Sequence, residues 1–189
     1  MNVKEAIEER RAYRSFDPIE VSKELIKKLA VAAQLSPSCA NKQPWGYIFI
    51  FDKNKLTELF TALSGTNKWV EKASMVIAVF SKPEDDCVIG ERFYYLFDTG
   101  MATAFIILQA TELGLVAHPI ARYKETKAKE ILNIPNEMRL ITLVNIGKHS
   151  NEINPVLSDA MKLGEKQRPP RKKLEDFVYV DNYGNKFYE

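Results

Sequence analysis

The 189-residue sequence predicts one α+β domain, in which helices pack on a central, mostly antiparallel or mixed sheet. Helical and strand-like patterns alternate along the chain, but without the repeated strand–helix–strand order that is typical of a parallel sheet. Hydrophobic residues make up 46% and charged residues 28% of the sequence, which is an ordinary globular composition. No internal repeat or glycine-rich linker divides the chain, so we expect a single domain over residues 1–189.

The first half of the chain is predicted to contain three helices and two strands. A short helix runs from about residue 3 into a cluster of arginines, and Asp17–Pro18 ends it. Ser22 is the candidate N-cap of a second helix, which ends before Pro37 because the residue preceding a proline disfavours the helical conformation. The next patterns predict, in order, a strand over 46–51, a helix from 56 to about 65 and a strand over 75–80.

The second half opens with the longest predicted helix, over 91–113, which is apolar around most of its circumference. Such a helix must be covered on all sides, so it is either the central core helix or one that a partner subunit covers. After it come a strand over 115–120, a helix over 125–132 and a strand over 140–146.

Residues 148–189 read as an extended C-terminal arm that is polar, basic and interrupted by prolines, with one strand-like segment at 177–180. An arm of this kind often wraps around another subunit, which favours an oligomer. The positive charges at 166–173 could bind an anion, RNA or an acidic lipid. Alternatively, they only keep the arm soluble. Because no aromatic residues are interleaved with the charges, base stacking with a nucleic acid is not favoured.

Composition excludes several classes of protein. The 27 basic and 25 acidic residues leave a net charge of +2, which lacks the basic excess of a nucleic-acid-binding protein. The two cysteines, Cys39 and Cys87, and the two histidines, His118 and His149, stand apart in the sequence. We therefore expect no disulfide framework and no Cys/His metal site. No export signal or membrane-spanning stretch is visible, so we expect a cytoplasmic protein without a membrane partner.

A cluster of arginines is the first candidate functional feature. Arg10, Arg11 and Arg14 lie within five residues at the predicted end of the first helix. Several guanidinium groups at one place can bind a phosphate bidentately. The alternative is a solvated basic edge that pairs with neighbouring acidic residues such as Glu8 and Asp17, which is the commoner role of a charge run.

The loop over 36–45 is the second candidate feature. Its hydroxyl and amide side chains lie between prolines, so a stiff loop of this kind can hydrogen-bond a planar polar ring. The alternative is a plain loop that ends where Trp45 packs into the core. Cys39 has no histidine or other base beside it, so we expect a small packed residue and not a nucleophile. Together with the arginines, the loop indicates a ligand with a phosphate and a flat polar group.

In their order and residues, these segments resemble the nitroreductase family of FMN-dependent oxidoreductases. The arginine segment is similar to the family's R-R-S-x-R-x-F pattern, and the loop is similar to its P-S-x-x-N-x-Q-P-W pattern. The resemblance extends over nearly the whole chain, from Ile7 to about Val180. Its other parts are the segments 73–77, 98–102, 112–115 and 147–149.

The resemblance implies a nitroreductase-like fold and a homodimer that exchanges its C-terminal arms and holds one FMN in each of two interface sites. It implies a ping-pong reaction in which NAD(P)H reduces FMN and a small organic acceptor, such as a nitroaromatic, quinone or enone, is then reduced. No catalytic side chain and no metal is expected. The preference between NADH and NADPH stays open. A non-enzymatic FMN-binding protein, which stores flavin or senses redox state, is the alternative function.

The resemblance also assigns residues to the cofactor. Those expected to hold the phosphate are Arg10, Arg11, Arg14, the backbone of Ala12, and one of Arg168 and Arg171. Those expected to reach the flavin of the other subunit are Pro37, Ser38, Cys39 and Asn41. Those expected to lie at the flavin ring are Asn67, Pro119, Ile120, Ala121 and Arg122. Ala12 departs from the family's serine, and Ala121–Arg122 departs from its glycine or Glu–Gly, so Arg122 adds a positive charge near the ring.

Overall fold

The computed structural model describes residues 1–188, and an antiparallel sheet with helices on both faces dominates it. This architecture confirms the α+β prediction. The α-helices are α1 (Val3–Glu9), α2 (Lys23–Gln34), α3 (Lys53–Phe60), α4 (Tyr95–Glu112), α5 (Glu125–Leu132) and α6 (Asp159–Lys166). The strands are β1 (Phe16–Asp17), β2 (Gly46–Ile50), β3 (Met75–Ser81), β4 (Val88–Ile89), β5 (Arg92–Phe93), β6 (Val116–Ile120) and β7 (Arg139–His149).

Strand β7 is the centre of the main sheet. Strands β3 and β6 pair antiparallel with overlapping parts of β7 and therefore flank it, while β2 pairs antiparallel with β3. The short strand β1 pairs with the last residues of β7, through Phe16 opposite His149. Strands β4 and β5 form a separate hairpin. None of the described helices combines the length and the hydrophobicity that crossing a bilayer requires.

The two faces of the sheet carry separate cores because side chains alternate along each strand. On one face Met75, Ile77 and Val79 of β3 pack with buried residues of α2 and α4. On the other face Val76 and Ala78 pack with residues of α3, α5 and the segment that contains β1. Burial of these apolar surfaces is the main favourable contribution to folding.

Helix α4 begins later than predicted. Residues 91–113 were expected to be helical, but Arg92–Phe93 pairs with Val88–Ile89 around Gly90, whose φ is +62°. Glycine adopts this left-handed conformation without steric cost, so the chain turns here before the helix begins at Tyr95. The middle of α4 is buried under α2 and the sheet, whereas Leu96 and Phe97 near its start are exposed.

The C-terminal arm differs from its prediction in two ways. Residues 159–166 form helix α6, which Ser158 caps by accepting a hydrogen bond from the Met161 backbone. The strand expected at 177–180 is wrong: Leu174–Asp176 is a 3-10 turn, and Tyr179 makes only an isolated bridge with Lys186. A strand-like pattern forms a strand only where a neighbouring strand supplies hydrogen bonds, and among residues 1–188 this segment has no such neighbour beyond the bridge.

The expectation for the cysteines is also wrong. Cys39 and Cys87 form a disulfide, with their Cα atoms 6.0 Å apart across 48 positions of sequence. Cys39 is therefore a covalent link and not a simple packed residue. The loop that follows α2 and the segment that precedes β4 meet beside the start of α4, and cysteine spacing alone does not show such a meeting.

Candidate functional site

The arginine segment is an extended stretch between α1 and β1, and helix α6 holds it in place. The buried carboxylate of Glu165 accepts the backbone N–H groups of Arg14, at 2.9 Å, and Ser15, at 3.0 Å. The guanidinium of Arg11 donates to the carbonyl of Gly164 at 2.7 Å. Hydrogen bonds to a charged group are stronger than neutral ones, so the backbone of the segment is firmly positioned.

The guanidinium groups of the segment and the arm form one cationic cluster, defined here as Arg10, Arg11, Arg14, Arg168 and Arg171. Arg168 donates to the backbone carbonyls of Glu8 and of Arg10. Partial burial, followed by the charges of Arg168 and Arg171, lowers the pKa of Arg10. Within residues 1–188, no salt bridge joins a member of the cluster to a carboxylate.

That charge distribution favours one of the two interpretations of the arginines. A solvated basic edge predicted ion pairs with residues such as Glu8 and Asp17, and the part of the chain that the structure describes contains none. Like charges gathered without a direct ion pair repel each other, and an anion relieves that repulsion. The cluster is therefore suited to a phosphate, the group that guanidinium forks bind best.

Ring side chains contact the arginine segment at Tyr13. The Nδ1 atom of His118 lies 2.9 Å from the carbonyl oxygen of Tyr13, and its ring centroid lies 4.6 Å from that of Trp69. Burial lowers the pKa of His118 to about 4, so the imidazole is neutral at pH 7 and donates its Nδ1–H to the carbonyl. Tyr13 stacks on His149 at 3.6 Å between ring centroids. Sequence reasoning missed these roles, since His118 and Tyr13 are 105 positions apart.

Asn67 and the end of β6 form a second part of the site. Asn67 is buried, and its Nδ2 donates to the carbonyl of Arg122 at 2.9 Å. The side chains of Ala121 and Arg122 are exposed, whereas that of Ile120 lies in the core. Asn67 thus fixes the backbone carbonyl of Arg122, directly after β6.

Pro119 belongs to the same surface. It lies in β6 opposite Val144, and its side chain is exposed. The arginine segment connects to this surface through His118, which contacts both Tyr13 and Trp69. The structure therefore brings together the predicted residues Arg10, Arg11, Ala12, Arg14, Arg168 and Arg171 at one end of α6, and places Asn67, Pro119, Ala121 and Arg122 at the end of β6.

The predicted ring-binding loop lies elsewhere on the molecule. The carboxylate of Asp98, on α4, accepts the backbone N–H of Cys39 at 2.6 Å, and Ser38 Oγ accepts that of Gln43 at 2.9 Å. No hydrogen bond or ring contact between described residues joins Pro37, Ser38, Cys39 or Asn41 to the arginine segment. A cavity of about 900 Å³ opens beside β1 and α3, and none of the residues assigned to the cofactor lines it.

Comparison with known sequences identifies relatives of this chain. A model of the Nitroreductase family matches residues 7–68 and 55–148, which include all of the assigned residues except those of the arm. An Archaeoglobus fulgidus protein, provisionally named NADH dehydrogenase/NAD(P)H nitroreductase, is 30% identical over 149 residues, which are 76% of this chain and 83% of the relative. An iodotyrosine deiodinase from Haliscomenobacter hydrossis is 27% identical over 169 residues, with 75% and 76% of the two chains covered.

Solved structures share the fold. A structure described as an oxidoreductase containing FMN superimposes with a TM-score of 0.83 at 25% identity and covers 98% of this chain and 95% of its own. A nitroreductase family protein from Clostridium novyi NT superimposes with a TM-score of 0.73 at 25% identity, with 99% and 97% covered. The similarity extends through the arm, which the family model does not match.

Proposed function

Because the chain belongs to the nitroreductase family, we propose that it binds FMN and transfers electrons from NAD(P)H to a small organic acceptor such as a nitroaromatic, a quinone or an enone. The observation that carries this proposal is the cationic cluster, which is held on α6 and whose guanidinium groups form no salt bridge among the described residues. The similar oxidoreductase structure that contains FMN supports the choice of cofactor. A cytoplasmic location stays a prediction.

The residues present fit the phosphate end of FMN. Arg10, Arg11 and Arg14 would bind the phosphate, with Arg168 placed to add a further guanidinium from the arm. The backbone that Asn67 holds after β6 would offer N–H groups to the ring. When bound, FMN supplies the redox chemistry of the proposed reaction, and the protein contributes binding, orientation and charge. The exposed Arg122 would place one positive charge beside that ring.

The first test compares FMN with riboflavin, which has the same ring but no phosphate. Arg10→Ala is expected to weaken FMN binding about thirtyfold, the equivalent of about 2 kcal/mol for a lost charge-assisted contact. Riboflavin binding is expected to stay unchanged, because the substitution removes only a phosphate ligand. Fluorescence titration of each flavin into the apoprotein measures both dissociation constants.

The matched control is Lys172→Ala, which removes an exposed positive charge from the same arm outside the cluster. It is expected to leave both dissociation constants within twofold of the wild type. Equal weakening of FMN and riboflavin by Arg10→Ala would show a general disturbance of the site and contradict a phosphate-binding role. An unchanged FMN affinity would contradict it directly.

We further propose that the chain is a homodimer, in which the loop with Pro37, Ser38, Cys39 and Asn41 reaches the flavin of the other subunit. Support comes from the apolar residues that α4 leaves uncovered, above all Phe97, whose side chain is 64% exposed. A contiguous exposed apolar surface is typical of an interaction site. Exchange of the arms is part of this proposal, although Arg168 also contacts its own chain.

Phe97→Glu is expected to shift the protein from dimer to monomer, because a dimer interface would then bury an unpaired charge. Sedimentation velocity measures the change. Phe51→Glu, at an exposed apolar residue directly after β2 and outside both α4 and the arm, is the control and is expected to leave the dimer intact. A wild-type protein that sediments as a monomer at micromolar concentration would refute the dimer.

A further inference from the structure

The Cys39–Cys87 disulfide joins the predicted ring-binding loop to the segment before β4. These are the only two cysteines of the sequence, and both are partly exposed. The loop has two further attachments nearby: the Asp98 carboxylate accepts the Cys39 N–H, and Lys42 Nζ donates to the Asp86 carbonyl at 3.3 Å. The disulfide is the one covalent attachment among them.

The backbone of this loop is held in an unfavourable conformation. Ala40, Asn41 and Gln43 have φ values of +50°, +56° and +51°, in the left-handed region that side chains with a Cβ rarely occupy. Residues persist in such conformations only where the surrounding structure imposes them, and they concentrate at functional sites. The attachments around Cys39 lie within this stretch, next to the three strained residues.

A buried carboxyl group accompanies the sulfur atoms. A carboxylate oxygen of Asp86 lies within 4.8 Å of both Sγ atoms, and the residue is only 3% exposed. Its Oδ2 has no hydrogen-bond partner among the described residues. Burial raises the pKa of Asp86, and the neighbouring Asp98 adds to the effect, while the hydrogen bond from the Cys87 backbone N–H and the charge of Lys42 oppose it. The pair thus has a buried carboxyl group beside it.

We propose that Cys39 and Cys87 are a thiol–disulfide exchange site for dithiol reductants, and that their redox state sets the affinity of the neighbouring loop for flavin. Only the second part of this inference, the effect on flavin affinity, rests on the proposed function. In a reducing compartment, disulfides are usually transient and act in catalysis or redox sensing, which agrees with such a role.

The exchange balances without any other reactant. A thiolate of the dithiol attacks one Sγ, so that a mixed disulfide forms and the bond between Cys39 and Cys87 breaks. The departing sulfur leaves as a thiolate and takes up a proton from water. The second thiol of the reductant then resolves the mixed disulfide. In sum, the protein disulfide gains two electrons and two protons, and the dithiol becomes a cyclic disulfide.

Reduction is expected to weaken FMN binding about tenfold. Without the covalent link, the loop adopts its binding conformation in only a fraction of the molecules, and the apparent affinity falls in proportion to that fraction. An excess of flavin compensates for the loss, so the effect is on the dissociation constant and not on the binding capacity.

The first measurement counts thiols, independently of any flavin. The protein is purified aerobically, alkylated with iodoacetamide after denaturation, and weighed by mass spectrometry with and without prior dithiothreitol treatment of the native state. We expect no label before reduction and two labels after it. Two labels without reduction, or a native disulfide that dithiothreitol does not reduce, would overturn the exchange site.

The second measurement titrates FMN anaerobically into oxidised and reduced protein. Cys87→Ser removes the link without altering a residue assigned to the flavin, and we expect it to show the weaker affinity with or without dithiothreitol. Val88→Ser, at the exposed neighbouring position, is the control and is expected to respond to dithiothreitol like the wild type. Equal FMN affinity of both redox forms would overturn the coupling alone, whereas no FMN binding in either form would overturn the proposed function with it.

Discussion

Glu165→Ala is expected to lower the free energy of unfolding by about 3 kcal/mol, the typical sum for two lost hydrogen bonds to a charged acceptor. Glu165 is 6% exposed, and its two carboxylate oxygens accept the N–H groups of Arg14 and Ser15. Alanine leaves both donors without an acceptor in a place that water reaches poorly. Urea unfolding followed by circular dichroism measures the change.

The same substitution is expected to weaken FMN binding more than riboflavin binding, because it releases the segment that carries Arg14. Two control variants accompany it. Lys166→Ala changes an exposed neighbour on α6 and is expected to leave stability within about 0.5 kcal/mol. Glu165→Gln keeps one acceptor oxygen and is expected to fall between the wild type and Glu165→Ala. A loss below about 1 kcal/mol for Glu165→Ala would contradict the attachment of the segment to α6.

His118 is expected to make the stability of the protein depend on pH between about 4 and 6.5. Burial lowers its pKa from 6.5 to about 4 in the folded state, so the unfolded chain binds a proton in this range that the folded chain does not. The free energy of unfolding therefore rises with pH across this range. Above pH 6.5 the contribution of His118 is fully present. A difference of about 2.5 pKa units corresponds to about 3 kcal/mol, lost as the pH falls to 4.

The measurement compares the urea unfolding of the wild type and of His118→Gln at several pH values. Glutamine does not titrate and can still donate to the Tyr13 carbonyl. Carboxyl groups contribute to both proteins alike, so the difference between the two curves isolates the imidazole. We expect the difference to change by about 3 kcal/mol between pH 7 and pH 4. Parallel curves over this range would show that His118 takes up its proton equally well in the folded state.

Several elements could be predicted because their signals are local. Helix α5 covers 125–132 as predicted, since its amphipathic pattern lies within two turns and Asn133 ends it in the left-handed conformation. Helix α2 begins after Ser22, whose side chain accepts the Leu25 N–H, and ends before Pro37. The clustering of Arg10, Arg11 and Arg14 was equally visible, because the three residues are close in the chain itself.

The rest of the site depends on residues that are distant in sequence. Glu165 meets the arginine segment from about 150 positions away, and His118 reaches Tyr13 across 105. The disulfide spans 48 positions. None of these residues stands out in its own segment, because a buried carboxylate, imidazole or thiol differs from an exposed one only in its neighbours.

The sequence by itself determined helices α1 to α5, the longer strands of the main sheet, the family and the cationic segment, because short-range periodicity and contiguous motifs carry that information. Only the tertiary structure decided which groups position those arginines, that Cys39 is bonded to Cys87, and that residues 177–180 do not form a strand. The physical reason is the same in each case. Hydrogen bonds, disulfides and strand pairing are made between segments, and their free energy depends on a partner that the local sequence does not contain.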